Sequence, residues 1–218
     1  EMHINDQIIR SQIDGDIVDY QTLVNLFKNY ASPRDKISRV IKNDLFIRIK
    51  QGLYIFGPDN ARRPISKELL ANLIHGPSYI SLQYALSYYG LIPEKVETIT
   101  SVTTGVSRTY STPVGRFGYY KIPLTAYSIG IQYKELTDGY SFLIASPEKA
   151  LCDLIRRNRG LGQLSQKDMK EWLIYDQRIS LQDLESFDQD SVDEIAGQYK
   201  SVNMRTFAKI LTAMDRRK

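Results

Sequence analysis

The chain is poor in the residues from which metal sites and nucleophilic enzymes are commonly built. Of its 218 residues one is cysteine, Cys152, and two are histidine, His3 and His75. A lone cysteine excludes an intrachain disulfide and fits a reducing compartment. No Cys/His cluster has zinc-ligand spacing, and a histidine-based triad has to use one of the two histidines. His75 ends an apolar helical pattern just before Gly76-Pro77 and reads as a structural cation at a helix C-terminus. No glycine loop suited to phosphates is present, because Gly105 and Gly115 lack a Lys-Ser/Thr pair at the needed spacing. Carboxylates are scattered, which argues against a metal-dependent nuclease, and no cofactor is expected. No apolar run approaches a membrane span, and no signal-peptide pattern is visible, with Met2 the expected native start. Internal repeats and low-complexity segments are also missing. These absences point to a cytoplasmic protein without enzymatic chemistry.

What is present is enough apolar residue for a core (42% of the chain) and a net charge of +4. That charge permits a nucleic-acid partner without requiring one. The excess is local, with Arg34, Lys36, Arg39, Lys42, Arg48, Lys50, Arg62 and Arg63 set against Asp35, Asp44 and Asp59. The stretch Ser32–Gly57 carries most of it. Ser32 as N-cap, Pro33 at the first helical position and Asp35 in the first turn open a helix. Ile37, Val40, Ile41 and Leu45 form its apolar face, with Asp35, Arg39 and Lys42 opposite and Ser38 and Asn43 flanking them. The period then changes: Ile47 and Ile49 alternate with Phe46, Arg48 and Lys50, Gln51-Gly52 turns, and Leu53–Phe56 returns as a second strand. A basic helix followed by a basic-tipped hairpin is the centre of a winged helix-turn-helix, in which the helix enters a major groove and the hairpin touches phosphates. The candidate DNA-binding residues are Arg34, Lys36, Ser38, Arg39, Lys42, Arg48 and Lys50. A solvated basic face beside an ordinary hairpin is the competing reading.

Two earlier helices complete such a domain. One carries Ile4, Ile8, Ile9 and Ile13; the other is capped by Asp19 and carries Leu23, Val24, Leu26 and Phe27. Pro58–Pro64, polar and bounded by prolines, is the expected boundary between a DNA-binding domain (1–60) and a second domain (65–218). In the second, helices are expected over Ser66–His75, with Leu69, Leu70, Leu73 and Ile74 inward, and after Ser81 as cap, ending at Gly90. Val96–Ile144 reads as an antiparallel sheet, rich in Thr and Tyr. Ser146-Pro147-Glu148 opens a helix with Leu151, Leu154 and Ile155 inward and Lys149, Asp153 and Arg156 outward. Helices follow to the end. The overall expectation is an α+β chain: a winged helix-turn-helix, then a mixed α/β domain with an antiparallel sheet and C-terminal helices.

Two further patterns bear on function. Ser146–Lys149 matches the S-x-x-K arrangement of a lysine-activated serine, but an N-cap, a first-turn proline and a dipole-favoured glutamate explain the same residues, and the companion motifs are absent. On the last helix Arg205, Lys209 and Arg216 lie opposite Phe207, Ile210, Leu211 and Met214. That stripe is either a solvated face or a docking surface for an acidic protein or nucleic acid.

The runs YISLQYALSYYGLIPEKVETITSVTT, VGRFGYYKIP and FLIASPEKALCDLI, with GLYIFG before them, resemble the AbiEi family of bacterial antitoxins. The resemblance implies a type IV toxin–antitoxin system of the kind associated with abortive infection and phage defence. It implies an N-terminal winged helix that represses its own promoter at inverted repeats of double-stranded DNA. It implies a second domain that counteracts a cognate nucleotidyltransferase-like toxin, with or without direct contact, and no enzymatic activity. The alternative is a winged-helix transcriptional regulator whose second domain senses a ligand or partner.

Overall fold

A computed structural model describes residues 2–136 and 139–215. The chain is mixed α+β and divides into two units. Unit 1 runs to Lys67 and takes in Ser111–Gly115; unit 2 holds Glu68–Tyr110 and the residues from Arg116 onward.

Unit 1 opens with helix α1 (Met2–Ser11), strand β1 (Ile17–Asp19) and helix α2 (Tyr20–Leu26). Ile9 and Ile13 are buried whereas Ile8 is exposed, because successive helical positions diverge by about 100° and a narrow interface takes one of them. The side chain of Ile4 lies outside the described residues. Asp19 caps α2, accepting the Thr22 backbone N–H at 2.7 Å. That bond holds the Asp19 carboxyl below the usual carboxylate range, so the cap is present at neutral pH and is lost as acid protonates it. Leu23 and Phe27 are buried, and Val24 and Leu26 pack at the core's margin.

Helix α3 (Pro33–Lys42) follows with Pro33 in its first turn. The Ser32 hydroxyl does not cap the backbone as expected; it donates to Asp35 Oδ2 at 2.6 Å. Ile37 and Val40 are buried. Asp44, in the left-handed region at φ 58, reverses the chain into strand β2 (Phe46–Lys50), which pairs antiparallel with β3 (Leu53–Phe56) across a turn where Gly52 has φ 85. The ladder is irregular between Arg48 and Lys50, so strict alternation fails: Phe46 and Ile49 are buried but Ile47 is only half-buried. β1, too short for a period to show, adds to the far side of β3, giving the order β1-β3-β2.

Arg10 and Asp16 form a buried ion pair at 2.6 Å, and Arg10 also donates to Ile13 O and lies over the Phe56 ring. The segment Pro58–Pro64 is fastened to unit 1, with Ala61 packed on its core, the Arg62 N–H donating to Asp16 Oδ1 at 3.0 Å and the Arg62 side chain donating to Asp14 O. Gly57 donates to Leu45 O at 2.9 Å, and a Cβ on it would stand 2.0 Å from Asp44 O. Gly57→Ala is therefore expected to destabilise unit 1 by about 1–3 kcal/mol or more, read as a lower urea midpoint. A midpoint matching the parent protein would show that Asp44 and Leu45 move aside at little cost.

After β3 come α4 (Lys67–Ile74), β4 (Ser78–Ile80), α5 (Leu82–Tyr88), β5 (Ile99–Thr103), β6 (Arg108–Thr112), β7 (Gly115–Lys121), β8 (Ile131–Glu135) and β9 (Ser141–Ala145), which belong to unit 2 except for Lys67 and the β6–β7 turn residues Ser111–Gly115. Then come α6 (Pro147–Arg157), α7 (Gln166–Glu171) with a π-helical turn after it, α8 (Leu181–Glu185), α9 (Gln189–Tyr199) and α10 (Val202–Asp215). The strands form one six-stranded sheet, ordered β6-β7-β5-β4-β9-β8. It is mixed and not antiparallel as expected: β5 runs parallel to β7, and β4 runs parallel to β9 through Ile80 and Ile144. Turn signals report neighbours in sequence, whereas these pairings join strands separated by intervening elements. On α4 the buried residues are Leu70, Ala71 and Ile74, and Leu73 is exposed. His75 sits with Nε2 3.1 Å from Val106 O and its ring against Tyr119.

The largest departure is on α6. Lys149 and Asp153, expected outward, are fully buried and paired at 2.6 Å. Every residue from Lys149 to Ile155 is buried, so this part of the helix has no solvent face. Lys149 Nζ also donates to the Tyr199 hydroxyl at 2.7 Å, and Tyr199 in turn hydrogen-bonds Asp153 Oδ1. Ser81 and Tyr79 donate to Asp153 Oδ2 at 2.6 and 3.2 Å. The Ser81 hydroxyl thus serves this cluster and makes no cap on α5. Burial, then the Asp153 charge, push the Tyr79 and Tyr199 phenols far up, so both stay protonated donors.

Candidate nucleic-acid interface

α3 is positioned by what it buries. Ile37 and Val40 face the unit 1 core, and α3 packs beside α2 and β2. The opposite face presents Asp35, Arg39 and Lys42 with Ser38 at its flank, and Arg34 stands at the N-terminal turn on the side of Ile37; all five are exposed. Among the described residues no ion pair neutralises any of these three cations. The Ser38 hydroxyl donates to Arg34 O at 3.0 Å, an i−4 bond that turns its side chain along the helix. Lys36 is half-buried, its Nζ 5.2 Å from the Tyr30 ring centroid, which places it at the flank of the basic face.

The hairpin supplies the other two candidates. Arg48 is exposed opposite Tyr54, and Lys50 is half-buried opposite Leu53, beside the turn. Helix and hairpin are locked in sequence. Asn43 N–H bonds to Arg39 O, Leu45 N–H bonds to Val40 O at 3.0 Å, and Gly57 N–H at the end of the hairpin bonds to Leu45 O. The C-terminal turn of α3 and both ends of the hairpin therefore share one hydrogen-bonded corner. All seven candidates fall on one helix and the strand that follows it, an arrangement able to hold several phosphates at fixed separation.

On α10 of unit 2, Arg205 and Lys209 are exposed, opposite buried Phe207, Ile210 and Leu211. Arg216 lies outside the described residues.

The S-x-x-K pair has another role in the structure. Ser146 Oγ accepts the Lys149 backbone N–H at 3.2 Å, and the Lys149 ammonium belongs to the buried Asp153 cluster. Burial pushes the neighbouring Cys152 thiol up, away from thiolate reactivity. That cluster was hidden from outward/inward periodicity, although Ala150, Leu151, Cys152, Leu154 and Ile155 crowding around Lys149 and Asp153 was a signal for it. Among the described residues no group of three or more His, Cys, Asp or Glu side chains could hold a metal, and no helix is long and apolar enough to cross a membrane. Comparison with protein-family models and with curated protein sequences gives no match.

Proposed function

We propose that unit 1 is a winged helix-turn-helix that binds double-stranded DNA, with α3 in the major groove and the β2–β3 hairpin on the adjoining backbone. The observation that carries this reading is the set of exposed α3 cations without ion pairs, Arg34, Arg39 and Lys42, on a helix fastened to a hairpin bearing Arg48 and Lys50. Arg39 reads a base, since its guanidinium can bond guanine bidentately; Arg34, Lys36, Ser38, Lys42, Arg48 and Lys50 hold phosphates. The resemblance of the unit 2 segments to AbiEi antitoxins supports the rest of the reading. The chain acts in the bacterial cytoplasm as an antitoxin that represses its own promoter and counteracts a nucleotidyltransferase-like toxin encoded beside it.

Fluorescence anisotropy on an inverted repeat upstream of the gene tests the DNA part. Affinity is expected to fall steeply with salt as counterions are released. Arg39→Ala should lose about 1–3 kcal/mol of base discrimination, and Lys50→Ala should weaken all sequences about equally. Unchanged affinity in both variants would remove the assignment. Co-expression with the neighbouring gene, scored by growth, tests the antitoxin part; a folded chain that never restores growth against a toxic neighbour would refute it. Reversing Arg205 and Lys209 to Glu in the same assay is expected to weaken protection if the α10 stripe is a docking surface, and full protection would make it a solvated face.

A further inference from the structure

Residues of α5, β5, β7 and α6 enclose a cleft of about 290 Å3 within unit 2. Its floor is apolar, made by Leu82, Val102 and Ile122, all buried. Its rim is cationic, made by Lys121, Arg156 and Arg157. Among the described residues none of the three has a carboxylate partner. Arg156 Nε is shut off from solvent and makes no hydrogen bond among the described residues, a state that calls for an explanation in a native protein. Arg157 is held in place, its Cζ 3.7 Å from the Tyr120 ring centroid and its Nη1 bonded to Gln83 Oε1 at 3.5 Å. A guanidinium seated over a ring and bonded through one nitrogen keeps its other N–H groups for an acceptor.

One carboxylate also lines the cleft, that of Asp153, but it is already engaged by Lys149, Ser81, Tyr79 and Tyr199. It therefore leaves the rim cations uncancelled. Leu82 on the floor sits in the left-handed region at φ 60, an outlier for a bulky residue and the sort of strain that persists where the surroundings enforce it. The volume lies just under the range of ligand pockets for drug-sized molecules, roughly 300 to 1,000 Å3, which suits a small occupant.

We propose that this cleft binds a phosphorylated small molecule, its phosphate held by Lys121, Arg156 and Arg157 and its less polar part set against Leu82, Val102 and Ile122. Guanidinium pairs match phosphate oxygens bidentately, and the ammonium of Lys121, from β7, adds a point charge at the same cleft. The phosphate can come free or on a nucleotide, and the test separates the two. None of the three cations lies on α3 or its hairpin, so the proposal stands or falls independently of operator binding.

The test uses the full chain, titrated with inorganic phosphate, AMP, ADP and adenosine at constant ionic strength. Thermal midpoint and calorimetry are the readouts, since a ligand that binds only the native state raises the midpoint in a saturable way. Saturable binding of phosphate or of a nucleotide is expected, with none for adenosine; phosphate binding as tightly as AMP assigns the site to free phosphate. Lys121→Gln and Arg156→Gln should each weaken binding about 10- to 100-fold. If Arg156→Gln fails to fold, Lys121→Gln at an exposed position carries the test. Failure of every phosphate compound to bind overturns the proposal. Equal binding by Lys121→Gln, or binding of oligonucleotides alone, overturns it as well.

Discussion

Lys149→Met is expected to destabilise the protein by about 3–5 kcal/mol, a large part of what a domain of this kind has to lose. The reason is the charge left behind. Asp153 is fully buried, and without the ammonium at 2.6 Å it keeps only hydroxyl donors. The Tyr199 hydroxyl loses a donor at the same time. The double variant Lys149→Met, Asp153→Leu removes both charges and should recover much of the loss, because buried pairs seldom outdo apolar residues of similar volume. Urea unfolding of the three proteins checks this. A single variant that loses less than about 1 kcal/mol would mean the pair behaves as though exposed to water.

Arg10→Met is the second change with a large expected effect, again about 3–5 kcal/mol, and this one acts on unit 1. The two side chains are 11% and 8% exposed, which sets the pair apart from surface ion pairs of at most about 1 kcal/mol. Removing the guanidinium leaves Asp16 with the Arg62 backbone N–H, and also strips the cation from over the Phe56 ring. Hydrogen exchange should therefore speed up across β1 and β3, where Asp16 O accepts the Phe56 N–H, while α6 and α9 keep their protection. Equal acceleration in both units would show that the pair is not local to unit 1.

Much of the fold was legible because local chemistry decides it. Asp19 as a cap, Pro33 in the first turn of α3, Gly52 in the hairpin turn and Ser146 before α6 all depend on residues within a few positions of one another. The candidate interface was legible for the same reason, since all seven residues lie on one helix and the next strand. What could not be read depends on distant partners. The parallel pairing of Ile80 with Ile144 has no local signature. Lys149 and Asp153 looked outward because charge usually means solvent, yet Tyr79, Ser81 and Tyr199 come from far along the chain to accommodate them. The rim of the unit 2 cleft, with Lys121 on β7 and Arg156 and Arg157 on α6, is likewise assembled by the sheet and is invisible in any one segment.

The Asp153 cluster also sets an order of completion during synthesis. A ribosome emits Tyr79 and Ser81 first, then Lys149 and Asp153, and Tyr199 last of the five. Until that last hydroxyl arrives, the nascent second unit holds an ammonium and carboxylate short of one partner, and α9 is not yet there to shut them off from water. A chain cut short before Tyr199 is thus marked by a polar defect at its centre, where proteases and chaperones act on exposed, incompletely packed forms. The arrangement ties the integrity of the unit 2 core to synthesis through Tyr199.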